Sequence, residues 1–284
     1  MLINYSTSSS IGKTKRMNRL FSTNDRCIIV PLDDNLISGD EIGLHNLRNK
    51  IKHIENAKPN AVLGYYGSLE LMKDTTIPTI LNLTASTVRS THNNKIHITN
   101  IERALALGVD AVAAHINVSS KYESEMIKNI GFISEKCDRY GMPLMILAYP
   151  RTEGKSEHGE IDENYLSDKE SNNDNYVKLV SHCVRIAVEL GADIIKTHYT
   201  GKPEMFNRVI ESANGKPVLI AGGQMVSSLE LFTMVKNSIE AGASGICIGR
   251  NVFNATNTTK TICALKKIVY SNESINKAMG LLNN

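Results

Sequence analysis

With 284 residues and 42% hydrophobic content, the chain is long enough to bury the core of one large domain or two small ones. The formal net charge is +3, with no basic stripe or acidic tail, which argues against nucleic acid as the main partner. No run of ~18 apolar residues is present, so neither a membrane-spanning helix nor a membrane partner is expected.

The first segment, MLINYSTSSSIGKTKRMNRLF, is polar and lacks the apolar stretch of a secretory signal. A cytoplasmic, soluble protein is expected by elimination. Within this segment an extra helix is predicted around Lys13–Leu20, covering one end of the fold. The first strand is expected at Cys27–Asp33, ending in Asp33 and Asp34, with further strands at Ala61–Tyr66 and Thr79–Thr84. The fourth, Ala111–Asn117, carries His115 and Asn117 at its end. A helix follows, with Met126, Ile127, Ile130 and Ile133 on one side. The fifth strand, Pro143–Tyr149, ends at Tyr149. The polar stretch Arg151–Asn175 then breaks the pattern and reads as a lid or as a disordered insert. Three more strands follow: Asp193–Tyr199 with Lys196 and His198, Pro217–Gly223 ending in Gly222 and Gly223, and Gly245–Arg250 ending in Gly249 and Arg250.

One unit returns three times: ALALGVDAVAAH, AVELGADIIKTH and SIEAGASGICIG. In each a helical stretch closes at a glycine (Gly108, Gly191 or Gly242) and an apolar strand begins a few residues later. Several strands are continuous apolar runs, as expected of parallel strands buried on both faces. Eight strands separated mostly by helices predict an α/β chain forming a single (β/α)8 barrel, with residues 1–284 as one domain. An open doubly wound sheet is the alternative, weakened by the lack of a G-x-G-x-x-G turn after the first strand. The five cysteines, Cys27, Cys137, Cys183, Cys247 and Cys263, form no C-x-x-C pair and read as reduced thiols. Lys266 and Lys267 read as a solvated helix face.

In such a barrel the strand ends gather at one mouth, where chemistry is done. Glycines at the last two strand ends let backbone N–H groups approach a phosphate, and Arg250 adds a charged fork. A lysine inside an apolar strand is costly unless paired, neutral or chemically used. Lys196 is therefore a candidate Schiff-base nucleophile, its pKa expected to be lowered by burial and a nearby cation. The competing reading pairs it with Asp33 or Asp34 as a brace between strands. Tyr149 and Asp33 are candidate proton carriers for a carbon–carbon step, while Tyr149 alone also reads as a core-edge tyrosine. His115 and His198 read as polar wall residues without a third metal ligand.

The segments VPLDDNLISG, GVDAVAAHINVSSKYESEMI, MPLMILAYPR, ELGADIIKTHYTG, PVLIAGG and GASGICIGRNVF resemble the DeoC/LacD-type class I aldolase superfamily. Within it, they are most similar to the branch of archaeal-type fructose-bisphosphate aldolase and 2-amino-3,7-dideoxy-D-threo-hept-6-ulosonate synthase. The resemblance implies Lys196 as the Schiff-base lysine, Tyr149 as proton donor and acceptor, and Asp33 as acidic partner. It implies phosphate binding by Gly222, Gly223, Gly249 and Arg250; Asp34, His115, Asn117 and His198 are candidate substrate contacts from their place at the strand ends. No metal or cofactor is implied, because the iminium is the electron sink. Homo-oligomers, decamers or related rings, are implied as well. One departure stands out: where the family commonly has Asp-His-Gly, this chain has Asp33-Asp34-Asn35. The second carboxylate either raises the pKa of the first or binds an amine-bearing substrate. The function expected is joining of a phosphorylated ketose to an aldehyde such as aspartate semialdehyde. Fructose-bisphosphate cleavage and a non-catalytic barrel that binds a phosphorylated metabolite are the alternatives.

Overall fold

The computed structural model describes residues 11–21, 24–39, 46–151, 153–155, 161–163 and 174–283. The described residues form twelve strands: β1 (Cys27–Pro31), β2 (Ala61–Gly64), β3 (Thr79–Asn82), β4 (Thr84–Ala85), β5 (Ile96–His97), β6 (Ala111–Val118), β7 (Leu144–Pro150), β8 (Glu153–Lys155), β9 (Ile161–Glu163), β10 (Ile194–Thr197), β11 (Val218–Ala221) and β12 (Gly245–Cys247). Eight close into a barrel in the order β1-β12-β11-β10-β7-β6-β3-β2. β1 pairs in parallel with both β2 and β12, which rules out the open doubly wound sheet. The (β/α)8 barrel read from the repeated helix–glycine–strand unit is the fold observed. Gly108, Gly191 and Gly242 all take positive φ, at 69°, 85° and 100°.

Alternate strand residues divide the apolar core in two. Inside the barrel lie Cys27, Ile29, Leu63, Ile80, Ala113, Met145, Leu147, Ile194, Leu219 and Cys247. Their neighbours, such as Val62, Val112, Ile146, Ile195 and Ile246, face the surrounding helices. This period-two alternation with both faces buried is why the strands read as unbroken apolar runs.

Helix α1 (Ile11–Leu20) closes the amino-terminal end of the barrel. Met17 and Leu20, with Phe21 just after the helix, join the inner cluster. Polar ties fix its position: Lys13 Nζ lies 2.6 Å from Asp138 and 3.0 Å from Asp193, and Arg19 Nε lies 2.6 Å from Asp110. The closest backbone approach is at the seam between β1 and β12. Gly245 there has φ of 149°, and a Cβ on it would lie 1.8 Å from the Cys27 carbonyl oxygen.

Three expectations need adjusting. The strands end two or three residues earlier than read at several mouth positions, because Asp33 and His198 already belong to the turns that leave the barrel and Thr84 to the separate strand β4. The polar stretch after β7 contains a short antiparallel pair, β8 with β9, and its last two residues, Asp174 and Asn175, open the helix Asp174–Glu189. The rest of that stretch lies outside the described residues, and so does the choice between lid and insert. Lys266 is not simply solvated: its ammonium donates to the carbonyls of Ala57 and Lys58, both at 2.6 Å, and so caps the end of helix Leu47–Ala57.

Candidate active site

The inward-facing parity of each strand, continued to its carboxyl end, replaces apolar residues with polar ones. On β10, Ile194 is followed two residues later by Lys196 and then by His198, just past the strand. On β7, Leu147 is followed by Tyr149. On β6, Ala113 is followed by His115 and Asn117. On β3, Ile80 is followed by Asn82. Asp33 comes in from the turn after β1. Lys196 is 7% exposed and Asp33 5%, so both charges lie inside protein.

A hydrogen-bonded chain crosses one wall. Asn82 Nδ2 donates to Asp33 Oδ2 at 3.0 Å, and the Thr84 hydroxyl donates to Asn82 Oδ1 at 3.4 Å. That same hydroxyl accepts from the His115 backbone N–H at 2.9 Å and lies 3.2 Å from His115 Nδ1. The Tyr149 ring stacks, tilted by 32°, against His198 at 4.7 Å between centroids, and the Arg151 guanidinium lies 5.0 Å from the Tyr149 ring centre. His198 Nδ1 is 3.0 Å from the Tyr176 hydroxyl. Both histidines are therefore wall residues held by hydroxyls. Among the described residues no cluster of three His, Cys, Asp or Glu has a metal-holding arrangement.

The lysine's electrostatics overturn one expectation. Burial is the largest influence on Lys196 and does push its pKa down. Cys247, Tyr149, Asp33 and Asp34 together outweigh it, and the amine ends above its ordinary value. Burial pushes the Cys247 thiol up to about 11 and raises the Tyr149 phenol too, so both are uncharged at neutral pH. Asp33 and Asp34 are the carboxylates that act on the Lys196 amine alongside Cys247 and Tyr149. Burial lifts Asp33 above the usual carboxylate range, Lys196 pulls it back, and Asp34 lifts it further. The brace reading fares no better than the lowered pKa. Asp33 bonds Asn82, Asp34 pairs with Arg250 at 3.6 Å, and no ion pair closes onto Lys196 among the described residues.

On the opposite side of the mouth, Gly222 and Gly223 leave β11 and Gly249 leaves β12. A Cβ at Gly222 would lie 2.6 Å from Ile248, and one at Gly249 would lie 3.0 Å from the Pro31 carbonyl, so both turns are built for bare backbone. Helix Ser228–Glu240 begins five residues beyond Gly223, and its first turn is filled by its own Ser227–Glu230 capping box. The backbone N–H groups near Gly222 and Gly249, rather than that helix end, are thus the available anion donors. Asn251, missed by sequence reasoning, ties the two turns together. It accepts from Val226 N–H at 2.9 Å and donates to the carbonyls of Gly222 and Gln224 at 3.2 and 2.9 Å.

Asn82 and Cys247 were also missed, although inward parity on β3 and β12 would have found them. Lys95, Asn93 and His92 sit on an irregular excursion between β4 and β5, where no periodicity marks them.

The comparisons bear on what this mouth does. A family profile described as DeoC/LacD family aldolase matches residues 27–255. The chain belongs to the DeoC/LacD aldolase family. A 2-amino-3,7-dideoxy-D-threo-hept-6-ulosonate synthase of Archaeoglobus fulgidus is 34% identical over 273 residues, covering 95% of each chain. A 2-amino-4,5-dihydroxy-6-oxo-7-(phosphonooxy)heptanoate synthase of Streptomyces griseus is 31% identical over 250 residues, covering 86% of this chain and 85% of that one. A solved archaeal fructose-1,6-bisphosphate aldolase superposes with a TM-score of 0.78 at 27% identity, over 91% of this chain and 99% of that one. Its catalytic lysine is covalently bound to the carbinolamine intermediate of its substrate. As a DeoC/LacD aldolase, the chain makes or breaks carbon–carbon bonds next to a carbonyl.

Proposed function

We propose that the chain is a metal-independent class I aldolase that joins a phosphorylated ketose donor to aspartate semialdehyde through an imine on Lys196. The observation that carries this reading is a single buried lysine on β10, inside the barrel, between Tyr149 on the next strand and the Asp33–Asn82 pair. Family membership supports it, and so does the product skeleton in the names of the two synthases, a seven-carbon 2-amino acid with a ketone at carbon 6. With dihydroxyacetone phosphate as donor, three carbons and the four of aspartate semialdehyde give that skeleton.

The chemistry runs as follows. Asp33, a carboxylate whose burial favours taking a proton, accepts one from the Lys196 ammonium. The free amine adds to the donor ketone, and the carbinolamine loses water to give the iminium. Tyr149, left as a phenolate once it has given its proton to the hydroxyl that leaves the carbinolamine as water, takes the proton from the adjacent carbon, leaving an enamine. The enamine carbon attacks the acceptor aldehyde, the new alkoxide takes the proton back, and water releases the product and Lys196. The donor phosphate lies against the Gly222, Gly223 and Gly249 backbone, with Arg250 released from Asp34 to receive it. His115 and His198 shape the wall.

Two measurements probe these roles. Tyr149→Phe should slow turnover by about 10²–10⁴-fold while imine trapping at Lys196 survives, because the amine and phosphate site remain. Unaltered single-turnover chemistry with a lowered melting temperature would make the tyrosine structural. Arg250→Ala should weaken donor binding by roughly 10- to 150-fold, the worth of one charge-assisted hydrogen bond. An unchanged donor dissociation constant, measured by calorimetry, would remove Arg250 from the site.

Fructose-1,6-bisphosphate cleavage is the second reading, favoured by the likeness to the solved archaeal aldolase. Product analysis with aspartate semialdehyde against glyceraldehyde 3-phosphate decides between them. The chain is read as one barrel domain over 1–284, cytoplasmic and assembled as a homo-oligomer. The exposed Met225, Val226 and Leu229 after β11 offer apolar surface for such an assembly, which sedimentation would reveal.

A further inference from the structure

Opposite the phosphate turns, the mouth carries a polar cluster that the steps above do not use. Around the ring, β6 and β3 stand diametrically across from β11 and β12. Between β3 and β6 the chain makes an excursion, pinned at its stem by pairing of Thr84 with His97 and of Ala85 with Ile96. It brings Lys95, 3% exposed, and Asn93, 5% exposed, down beside Asn117 of β6, 1% exposed. Lys95 Nζ donates to Ser86 Oγ at 2.6 Å, and its charge is felt by Asp33 and His115.

The Asn117 side chain has a defined orientation. Asn117 Nδ2 donates to the Asn93 backbone carbonyl at 2.9 Å, so the Asn117 amide cannot be turned without losing that bond. Both Asn93 Oδ1 and Asn117 Oδ1 are buried with no hydrogen-bond donor. A buried acceptor without a donor costs about 1–3 kcal/mol, so two side by side are expensive unless something donates to them. Two carbonyl-type oxygens suit an ammonium, which has three N–H groups and no lone pair, and they repel phosphate oxygens. Lys95 beside them suits a carboxylate.

We propose that Asn93, Asn117 and Lys95 form the subsite for the α-amino-acid end of the acceptor aldehyde: the asparagine oxygens accept from its ammonium, and Lys95 pairs with its carboxylate. This rests on the proposed aldol reaction and adds which acceptor it selects. β6 stands two strands from β10, roughly 10 Å of sheet, a gap that the Lys196 side chain and a four-carbon acceptor span between them. The asparagine oxygens are buried in this arrangement, and the exposed residues 87–91 are the part of the excursion that has to move for a ligand to reach them. The phosphate end and the amino-acid end then lie on opposite rims, with the new bond forming between them.

The test compares two acceptors that differ by one amine, aspartate semialdehyde and succinate semialdehyde, with dihydroxyacetone phosphate as donor. Asn117→Ala should raise the KM for aspartate semialdehyde roughly 10- to 150-fold and leave that for succinate semialdehyde nearly unchanged. Asn117 also braces the excursion, so Asn93→Ala, outside the barrel wall, provides an independent variant with the same expectation. Lys95→Met should raise both KM values. Borohydride trapping of the donor on Lys196 should persist in all three variants. For the two asparagine variants, equal effects on the two acceptors, or none, with trapping intact would overturn the subsite and leave the aldolase reading standing. Failure of the unaltered protein to trap the donor would overturn both.

Discussion

Replacing Lys196 with methionine is expected to abolish aldol turnover, by on the order of 10⁴–10⁶-fold, the loss seen when a covalent nucleophile is removed. Methionine matches the lysine stem in length and apolar character, so the inner wall between Leu147 and Leu219 stays filled. The fold should therefore survive, as circular dichroism and a thermal melt would show. The pH dependence of imine formation has a definite sign. Because Cys247, Tyr149, Asp33 and Asp34 together hold the Lys196 pKa above its ordinary value, the neutral amine is the minority form throughout the neutral range. Imine formation should accelerate as pH rises from 6 to 9. His115 and His92 should add no step there, since burial holds His115 well below its usual value and His92 near 3. In Asp33→Asn the lysine loses one of the groups that raise its pKa, so the rise in imine formation should begin at lower pH. A pH-independent trapping rate would contradict the resting ammonium.

Gly245→Ala is expected to prevent a stable barrel. A methyl group at this position would lie 1.8 Å from the Cys27 carbonyl oxygen, 2.8 Å from its carbon and 2.9 Å from its nitrogen. All three are backbone atoms of β1, and Cys27 is the register partner of Gly245. No flexible side chain can give way, so the two strands must part at the seam that closes the ring. The φ of 149° adds strain for any L-residue. The expected loss exceeds about 4 kcal/mol, beyond the usual range for a point change, and should appear as insoluble protein or a collapsed melting transition. Gly108→Ala is the control. Gly108 also has positive φ, but its Cβ would meet open space, so about 1–2 kcal/mol is expected there.

The barrel was legible because its signals are local and repeated. Each apolar run bounded by a helix-closing glycine became a strand, and the glycines at 108, 191 and 242 hold the left-handed conformations that their position implied. Asp33, His115, Tyr149, Lys196 and Arg250 could be named because strand ends converge in any such barrel. Their mutual electrostatics could not. A lysine in an apolar run says burial, and burial alone lowers its pKa. The sign reverses because of what other strands bring to it: Cys247 on β12, Tyr149 on β7, and Asp33 and Asp34 from the turn after β1. Lys95, Asn93 and Asn251 stayed hidden for a related reason. Lys95 and Asn93 lie on an irregular segment, and Asn251 on a single-turn helix, Arg250–Phe253, too short to show a period.

The account turns on Lys196 carrying the substrate, and borohydride reduction reads that most directly. The protein is incubated with dihydroxyacetone phosphate, reduced, digested and sequenced by mass spectrometry. The expected result is one adduct per chain, on the peptide containing Lys196, absent without donor and absent in Lys196→Met. No adduct, or an adduct on another lysine such as Lys95, would contradict it.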